Sequence, residues 1–149
     1  MYCYKYPHPA VTADCVVFSR DDKNTFVLLI KRKNEPFKDC WAFPGGFINM
    51  DESAEDAVIR ELKEETGLVI SKVEQLKAYS KPDRDPRERI ITIAFIAESE
   101  YKDVKGSDDA KEARWFDISN LPSLAFDHEI ILKDALDRMN KRLYWDISY

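Results

Sequence analysis

The chain has few cysteines, and their spacing does not suit a zinc ribbon or a redox dithiol. Cys3, Cys15 and Cys40 are the three cysteines among 149 residues, and none forms a CxxC pair. Such pairs mark many zinc and redox sites, and an even number marks the disulfide framework of small secreted domains. The three residues are therefore predicted to be free thiols in a reducing compartment.

Long apolar segments are also missing. The first nine residues, which include Lys5 and Pro7, lack the apolar region of a secretory signal peptide. No apolar run approaches the roughly 18 residues that a membrane span needs. We therefore expect no contact with a membrane and a cytoplasmic location.

The chain has no excess of positive charge. Lysine and arginine total 23 against 28 acidic residues, which gives a net charge of −5. This balance disfavours nonspecific binding to nucleic acid, so no nucleic-acid partner is expected. A protein with this charge that handles phosphates must neutralise them locally, with a metal ion or with a few arginines.

No repeat, low-complexity tract or linker divides the sequence. The length and a hydrophobic content of 44% suit one domain, residues 1–149, with a buried core. Local patterns predict strands at 10–18, 25–31, 41–43, 68–80, 90–97 and 113–117. They also predict a turn at 44–46, a helix from Ser53 to Gly67, and a helix from its N-cap Asp127 to about residue 143.

Three glutamates on one face of the first helix are the most informative feature of the sequence. Glu61, Glu64 and Glu65 lie at positions i, i+3 and i+4. Like charges at this spacing destabilise a helix by a few tenths of a kcal/mol per pair, on the order measured in peptides. A bound divalent cation would give the cluster a purpose, because hard cations take carboxylate oxygens. An exposed helix with surface ion pairs is the alternative.

The frame around these glutamates is specific. Residues 46–68 follow the pattern G-x5-E-x7-R-E-L-x-E-E-x-G-L. Seven fixed residues would match by chance on the order of 10⁻⁸ per start site, given ordinary residue frequencies. The pattern resembles the Nudix box of the Nudix hydrolases at every defining position. The resemblance implies an α/β fold, an α/β/α sandwich around a mixed β-sheet, and metal-dependent hydrolysis of a diphosphate.

The resemblance also implies a metal site. Glu61, Glu64 and Glu65 are the implied ligands, together with the main-chain carbonyl of Gly45. The implied cofactor is Mg²⁺, for which Mn²⁺ can substitute. Either Glu64 or Glu61 is implied to orient or deprotonate the attacking water.

Two further residues of the box have supporting roles by resemblance. Arg60 is implied to orient a neighbouring glutamate through a charge-assisted hydrogen bond. Glu52 is implied to tie the preceding loop to the helix and to reach the metal through water.

A second segment is similar to one in ADP-ribose pyrophosphatase-like members of the family. There R-D-P-R is followed by glycine, whereas here Glu88 follows Arg87. Arg84, Arg87 and Arg89 are implied to bind a phosphate or ribose of the substrate. The alternative is a solvated turn whose aspartates and arginines pair with each other. If the family turn needs a positive φ at the glycine, the turn here must differ.

The C-terminal region adds weaker candidates. Residues 124–132 resemble the start of the last helix in the same subgroup, and His128 there either contacts substrate or caps and packs the helix. Asp109 and Glu112 precede the last strand, a region that supplies an extra metal ligand or a base in the family. An acidic surface loop is the alternative for both.

Aromatic residues that could stack on a base are not distinguished by the sequence. Most of the candidates beside strands are expected in the core: Phe18, Trp41, Phe43, Phe47, Tyr79 and Phe95. Trp145 and Tyr149 pack either within the chain or at a homodimer contact.

The expected activity is hydrolysis of a nucleoside diphosphate linked to another group. ADP-ribose, giving AMP and ribose 5-phosphate, is the first expectation because the R-D-P-R segment accompanies the box. One alternative is a nucleoside triphosphate pyrophosphatase that cleanses the nucleotide pool and releases pyrophosphate. Another is a non-hydrolytic regulator that senses ADP-ribose. We do not favour it, because little chain follows the last helix for a DNA-binding module.

Overall fold

A mixed sheet of seven strands forms the centre of the computed structural model. The structure describes residues 1–107 and 109–147, with side chains up to residue 142, so Tyr149 and the Trp145 side chain lie outside it. The elements are β1 (Ala10–Arg20), β2 (Thr25–Arg32), β3 (Trp41–Ala42), β4 (Gly45–Phe47), α1 (Ala54–Thr66), β5 (Glu74–Tyr79), β6 (Ile90–Glu98), β7 (Ala110–Asp117) and α2 (His128–Ile147).

The strand order confirms the predicted fold class. The main path is β3-β2-β1-β6-β5, with β4 paired to β1 and β7 paired to β2. The pairing of β1 with β6 is parallel, and the other pairings are antiparallel. No described helix has both the length and the apolar character needed to cross a membrane.

Strand β1 is buried on both faces, and its alternation separates two cores. Val16 and Phe18 belong to a cluster with apolar residues of α2. Cys15 and Val17 belong to a second cluster with Val58 and other residues of α1. Because successive side chains point to opposite faces, the two helices must cover opposite sides of the sheet. This is the predicted α/β/α sandwich.

The cysteines are free thiols, as predicted. Cys3 is exposed, Cys15 is buried and Cys40 is partly buried. Burial raises the pKa of the Cys15 thiol well above its usual range, and the charge of Asp14 adds to the effect. Cys15 is therefore a packing residue rather than a nucleophile.

Helix α1 begins and ends where local signals predict. The Ser53 hydroxyl accepts a hydrogen bond from the Asp56 N–H at 3.1 Å, which caps the first turn. At the other end Gly67 has a φ of 77° and donates its N–H to the Lys63 carbonyl at 2.9 Å. Glycine takes this left-handed conformation without a steric penalty, so the helix stops there.

Two predicted elements differ from those in the structure. The strand predicted at 68–80 is limited to β5, and Leu68 and Ile70 enter the core from irregular backbone instead. The turn predicted at 44–46 is partly strand, because Gly45 and Gly46 belong to β4. A Cβ on Gly45 would lie 2.3 Å from the Ala13 carbonyl oxygen, so glycine here permits close pairing with β1.

The segment before α2 also differs from the prediction, because the Asp127 carboxylate does not cap the helix. It accepts two hydrogen bonds from Arg84, from Nε at 2.8 Å and from Nη2 at 2.7 Å. The Arg84 side chain is 3% exposed and that of Asp127 is 16% exposed. This pair ties the β5–β6 loop to the first turn of α2.

We predict that Asp127→Ala lowers the free energy of unfolding by about 3 kcal/mol, because it leaves the Arg84 charge buried and unpaired. Urea unfolding followed by circular dichroism measures the change. Glu98→Ala is the matched control, since Glu98 pairs with Arg20 at the surface and its side chain is 60% exposed. That control should change stability by at most about 1 kcal/mol. Equal effects of the two substitutions would contradict the prediction.

Candidate active site

A cavity of about 330 Å³ is lined by residues of the strands, of α1, of the β5–β6 loop and of the start of α2. Acidic and basic side chains line it together. The acidic groups are Asp14, Glu35, Glu61, Glu65, Asp85 and Asp109, and the basic groups are Arg32, Lys33, Arg84 and Arg87. Aromatic side chains and an imidazole also reach it: Phe43, Phe47, Phe126 and His128.

The register of β4 on β1 aims residues at this cavity. Thr12 pairs with Phe47, and Asp14 pairs with Gly45. Paired residues share a face of the sheet, so these four positions face the cavity together. Gly46 lies between them and faces α1 instead.

Gly46 is in contact with the acidic helix. A Cβ built at Gly46 would lie 2.6 Å from the carboxyl carbon of Glu61. Any side chain at this position would therefore push the Glu61 carboxylate away. The spacing from Gly46 to the glutamates has a steric meaning here, because the strand and the helix meet at this point.

Arg60 connects other residues of the box, 46–68, through hydrogen bonds. Its guanidinium donates to both carboxylate oxygens of Glu52, at 3.0 and 2.6 Å, to Glu61 at 2.9 Å and to Glu64 at 3.1 Å. The fifth hydrogen bond goes to the Phe47 carbonyl at 3.2 Å. An arginine has five N–H donors, and all five are used.

Glu52 connects the loop before α1 to this network. It also accepts the Asn49 N–H at 2.8 Å. Hydrogen bonds from Arg60, and then that of Asn49, lower the pKa of Glu52 to about 2. Glu52 is thus ionised at neutral pH, and its oxygens are occupied by protein donors.

Of the three clustered glutamates of α1, Glu65 and Glu61 line the cavity. Glu65 is 5% exposed and accepts the Gly45 N–H at 2.7 Å. Burial raises the pKa of Glu65 well above its usual range, and the charges of Glu61, Asp14 and Asp109 add to this. Burial also raises the pKa of Glu61, although Arg60 opposes it.

The charge of these groups suits a divalent cation. Several carboxylates face one cavity, and their mutual repulsion helps to raise two of their pKa values. A cation of charge two would remove that repulsion, because hard ions are bound by carboxylate oxygens. Glu64 does not line the cavity, since its half-exposed carboxylate contacts Arg60. Within the described part of the chain, no three acidic, histidine or cysteine side chains are yet grouped closely enough to bind a metal.

His128 is buried in the cavity wall. Its Nδ1 accepts the Phe43 N–H at 3.1 Å, and its ring stacks on the Phe43 ring at 4.8 Å. Because Nδ1 accepts, the proton of the neutral ring is on Nε2, which is 3.9 Å from Asp14 Oδ2. Burial lowers the pKa of His128 below its ordinary 6.5, although Asp14 opposes the shift.

Asp14 is a site residue that sequence reasoning missed. Its carboxylate accepts the Thr92 hydroxyl at 2.5 Å. A carboxylate in the middle of an otherwise apolar strand is the signal that could have found it, because buried carboxylates need partners.

The two arginines of the R-D-P-R segment have different environments: one is buried in an ion pair, and the other is partly exposed. Arg84 is committed to Asp127, as described above. Arg87 forms a bidentate pair with the buried carboxylate of Asp85, at 3.0 and 2.7 Å, and its side chain is 37% exposed. The Arg89 guanidinium donates to the Lys81 carbonyl at 3.5 Å, and Arg89 does not line the cavity.

Of the two acidic candidates before the last strand, Asp109 and Glu112, one lines the cavity and the other does not. Asp109 lines the cavity, and its carbonyl accepts the Lys33 N–H at 3.2 Å. Glu112 lies on β7, where it pairs with Arg114 on the surface at 2.8 Å. Strand β7 begins at Ala110, three residues earlier than predicted, so Glu112 belongs to the sheet rather than to the loop.

Arg32 is a second residue that the sequence did not single out. Its Nε donates to the Pro36 carbonyl at 2.8 Å, and its guanidinium lies 4.9 Å from the centre of the Phe126 ring. Burial lowers the pKa of Arg32, and the nearby charge of Arg87 adds to this. Two guanidinium groups therefore converge on one side of the cavity, where they would favour an anion.

We predict that stability falls below about pH 6.5 partly because of His128. The unfolded chain binds the imidazole proton more readily than the folded protein, so acidification favours unfolding in this range. Between pH 7.5 and 5.5 the loss is up to about 1.4 kcal/mol, the limit for a histidine that stays neutral when folded.

Urea unfolding at both pH values, for the protein and for His128→Gln, measures this contribution. Asp14, Asp127, Arg84 and Arg32 face the ring and remain in both proteins, so the difference isolates the imidazole. The same pH slope in both proteins would show that His128 does not resist protonation.

Comparisons with known proteins agree with this architecture. A family model described as the NUDIX domain matches residues 8–138. The chain is 54% identical over 131 residues to the ADP-ribose pyrophosphatase of Methanocaldococcus jannaschii, covering 88% of this chain and 75% of that protein. It is 32% identical over 142 residues to the ADPR responsive transcriptional repressor NtrR of Acinetobacter baylyi, covering 92% of this chain and 57% of the repressor.

Solved structures give the same result. A MutT/nudix family protein from Enterococcus faecalis superposes with a TM-score of 0.87 at 36% identity, over 95% of this chain and 66% of that one. The NUDIX domain of Shewanella oneidensis NrtR, complexed with ADP ribose, superposes with a TM-score of 0.85 at 32% identity, over 90% of each chain. The chain thus spans only about two thirds of the Enterococcus protein and just over half of the repressor.

Proposed function

We propose that this protein, which belongs to the NUDIX domain family, hydrolyses the diphosphate of ADP-ribose to AMP and ribose 5-phosphate. The observation that carries the proposal is that one cavity joins the carboxylates of α1 to the R-D-P-R loop. The 54% identity to an ADP-ribose pyrophosphatase supports the same substrate. The single domain over residues 1–149, the cytoplasmic location and a homodimer stay predictions.

Glu61 and Glu65 are the metal ligands in this proposal, with Mg²⁺ as the ion and Mn²⁺ as a substitute. Gly45, whose N–H already orients the Glu65 carboxylate, would offer its carbonyl as a further ligand. Glu64 would join them by turning away from Arg60. When bound, the ion supplies neutralising charge and a more acidic water. Glu52 serves this site indirectly, because Arg60 and Asn49 occupy its oxygens.

The protein groups around the diphosphate have distinct tasks. Glu61 or Glu64 orients the attacking water and accepts its proton, and Arg60 holds Glu61 in place. Asp109 faces the same space and is a further candidate ligand or base. The neutral His128 presents its Nε2–H, which is a donor at any pH above its lowered pKa.

Arginines that line the cavity would bind the other part of the substrate. Arg87 is our choice for a phosphate or ribose contact, because Asp85 fixes its guanidinium while part of the side chain stays exposed. Arg84 acts as a positioning residue through Asp127. We propose no binding role for Arg89 and Glu112, which lie outside the cavity.

We expect Glu65→Gln to lower kcat by at least ~10²-fold, the scale seen when a principal charge-stabilising group is lost. Steady-state turnover of ADP-ribose at saturating Mg²⁺ measures it. Glu55→Gln is the matched control, because Glu55 is an exposed glutamate in the first turn of the same helix. Near-full activity of Glu65→Gln would place the metal elsewhere.

The phosphorus-containing products decide between the two hydrolase functions. ADP-ribose should give AMP and ribose 5-phosphate in a Mg²⁺-dependent reaction, as followed by phosphorus NMR. Release of pyrophosphate from nucleoside triphosphates, without AMP from ADP-ribose, would instead favour the nucleotide-cleansing alternative. Binding of ADP-ribose without any turnover would favour the sensing function, which the similarity to NtrR brings into the comparison.

A further inference from the structure

Phe47 stands apart from the other aromatic residues near the sheet. Phe18 and Phe95 are fully buried in the two cores. Phe43 is buried under His128, and Tyr79 is held by a 2.7 Å hydrogen bond to Asp134. Phe47 is 45% exposed and lines the cavity. Its ring is therefore open to the cavity, and core packing does not account for its position.

The backbone around Phe47 is fixed, so its exposure is not a consequence of a loose loop. The residue is paired with Thr12 in the sheet, which directs its side chain to the cavity face. Its carbonyl accepts a hydrogen bond from Arg60 at 3.2 Å. The preceding Gly46 touches Glu61. The backbone of Phe47 is thus fixed directly after Gly46, the residue that contacts Glu61 of α1.

A cation already lies against this ring. The Arg87 guanidinium is 5.5 Å from the ring centre of Phe47 and 5.6 Å from that of Phe126, and Asp85 fixes its orientation. The Phe126 ring is enclosed by Phe37, His128, Arg32 and Arg87, whereas Arg87 is the one aromatic or cationic neighbour of Phe47 among the described residues. The Phe47 ring therefore keeps a surface that can take a flat partner.

We propose that Phe47 is the stacking platform for the nucleobase of the substrate, with Arg87 positioned behind the ring. A base carries a π-face that stacks on an aromatic ring, and such contacts are worth ~1–3 kcal/mol, or roughly 5- to 150-fold in affinity. The diphosphate of the same molecule then reaches Glu61 and Glu65, because Phe47 adjoins the Gly46–Glu61 contact. This inference rests on the proposed function for the substrate class, a nucleoside diphosphate derivative.

The test compares ligands with and without a base. Dissociation constants for AMP are measured by titration calorimetry in the presence of Mg²⁺, and ribose 5-phosphate and AMP are compared as inhibitors of ADP-ribose turnover. The proteins are the unaltered chain, Phe47→Ala, Phe47→Tyr, and the control Tyr101→Ala. Tyr101 is an exposed aromatic residue that does not line the cavity.

We expect Phe47→Ala to weaken AMP binding on the order of tenfold or more and to leave inhibition by ribose 5-phosphate unchanged. It should raise KM for ADP-ribose more than it lowers kcat, since stacking acts on the ground state and the transition state alike. Phe47→Tyr should restore AMP binding, and Tyr101→Ala should not affect it.

Three results would overturn the platform: unchanged AMP binding by Phe47→Ala, an equal loss for both inhibitors, or no AMP binding by the unaltered protein. The two proposals fail separately. If the chain does not hydrolyse ADP-ribose but binds AMP through Phe47, the activity is wrong and the platform stands. If hydrolysis occurs and Phe47→Ala behaves as the unaltered protein, the reverse holds.

Discussion

The arrangement of the whole site depends on one guanidinium group. Arg60 uses every donor it has, on three glutamates and on the carbonyl of Phe47. Without this positive charge the acidic face of α1 would repel itself and the loop before the helix would lose its attachment. A planar guanidinium suits this task better than an ammonium, because its donors point in fixed directions. The cluster is therefore held in place before any ligand enters.

The same contact links the chemistry to the sheet. Arg60 binds β4 through the carbonyl of Phe47, and β4 is paired with the central strand β1. Gly46 then meets Glu61, which leaves no room for a side chain. The site is thus built where a helix approaches a strand within atomic contact. Two regular elements position functional groups more accurately than a loop does.

Local signals in the sequence predicted α1 almost to the residue, because Ser53 and Gly67 act on their own neighbours. The cavity could not be predicted in this way. Strand β4 forms because glycine lets it approach β1, and irregular backbone carries Leu68 into the core, so both depend on distant partners. Asp14 and Arg32 escaped notice because neither belongs to the glutamate pattern. The box names the carboxylates of α1 and the R-D-P-R segment names Arg87, while their meeting in one cavity becomes visible only in three dimensions.

The pair between Arg84 and Asp127 joins positions that are 43 residues apart. Each residue depends on the other, because changing one alone would leave the charge of its partner buried and unpaired. In evolution the two positions should consequently vary together, and they should do so independently of the glutamates of α1. An engineer who transplants the R-D-P-R loop into another scaffold would have to transplant the first turn of the last helix with it.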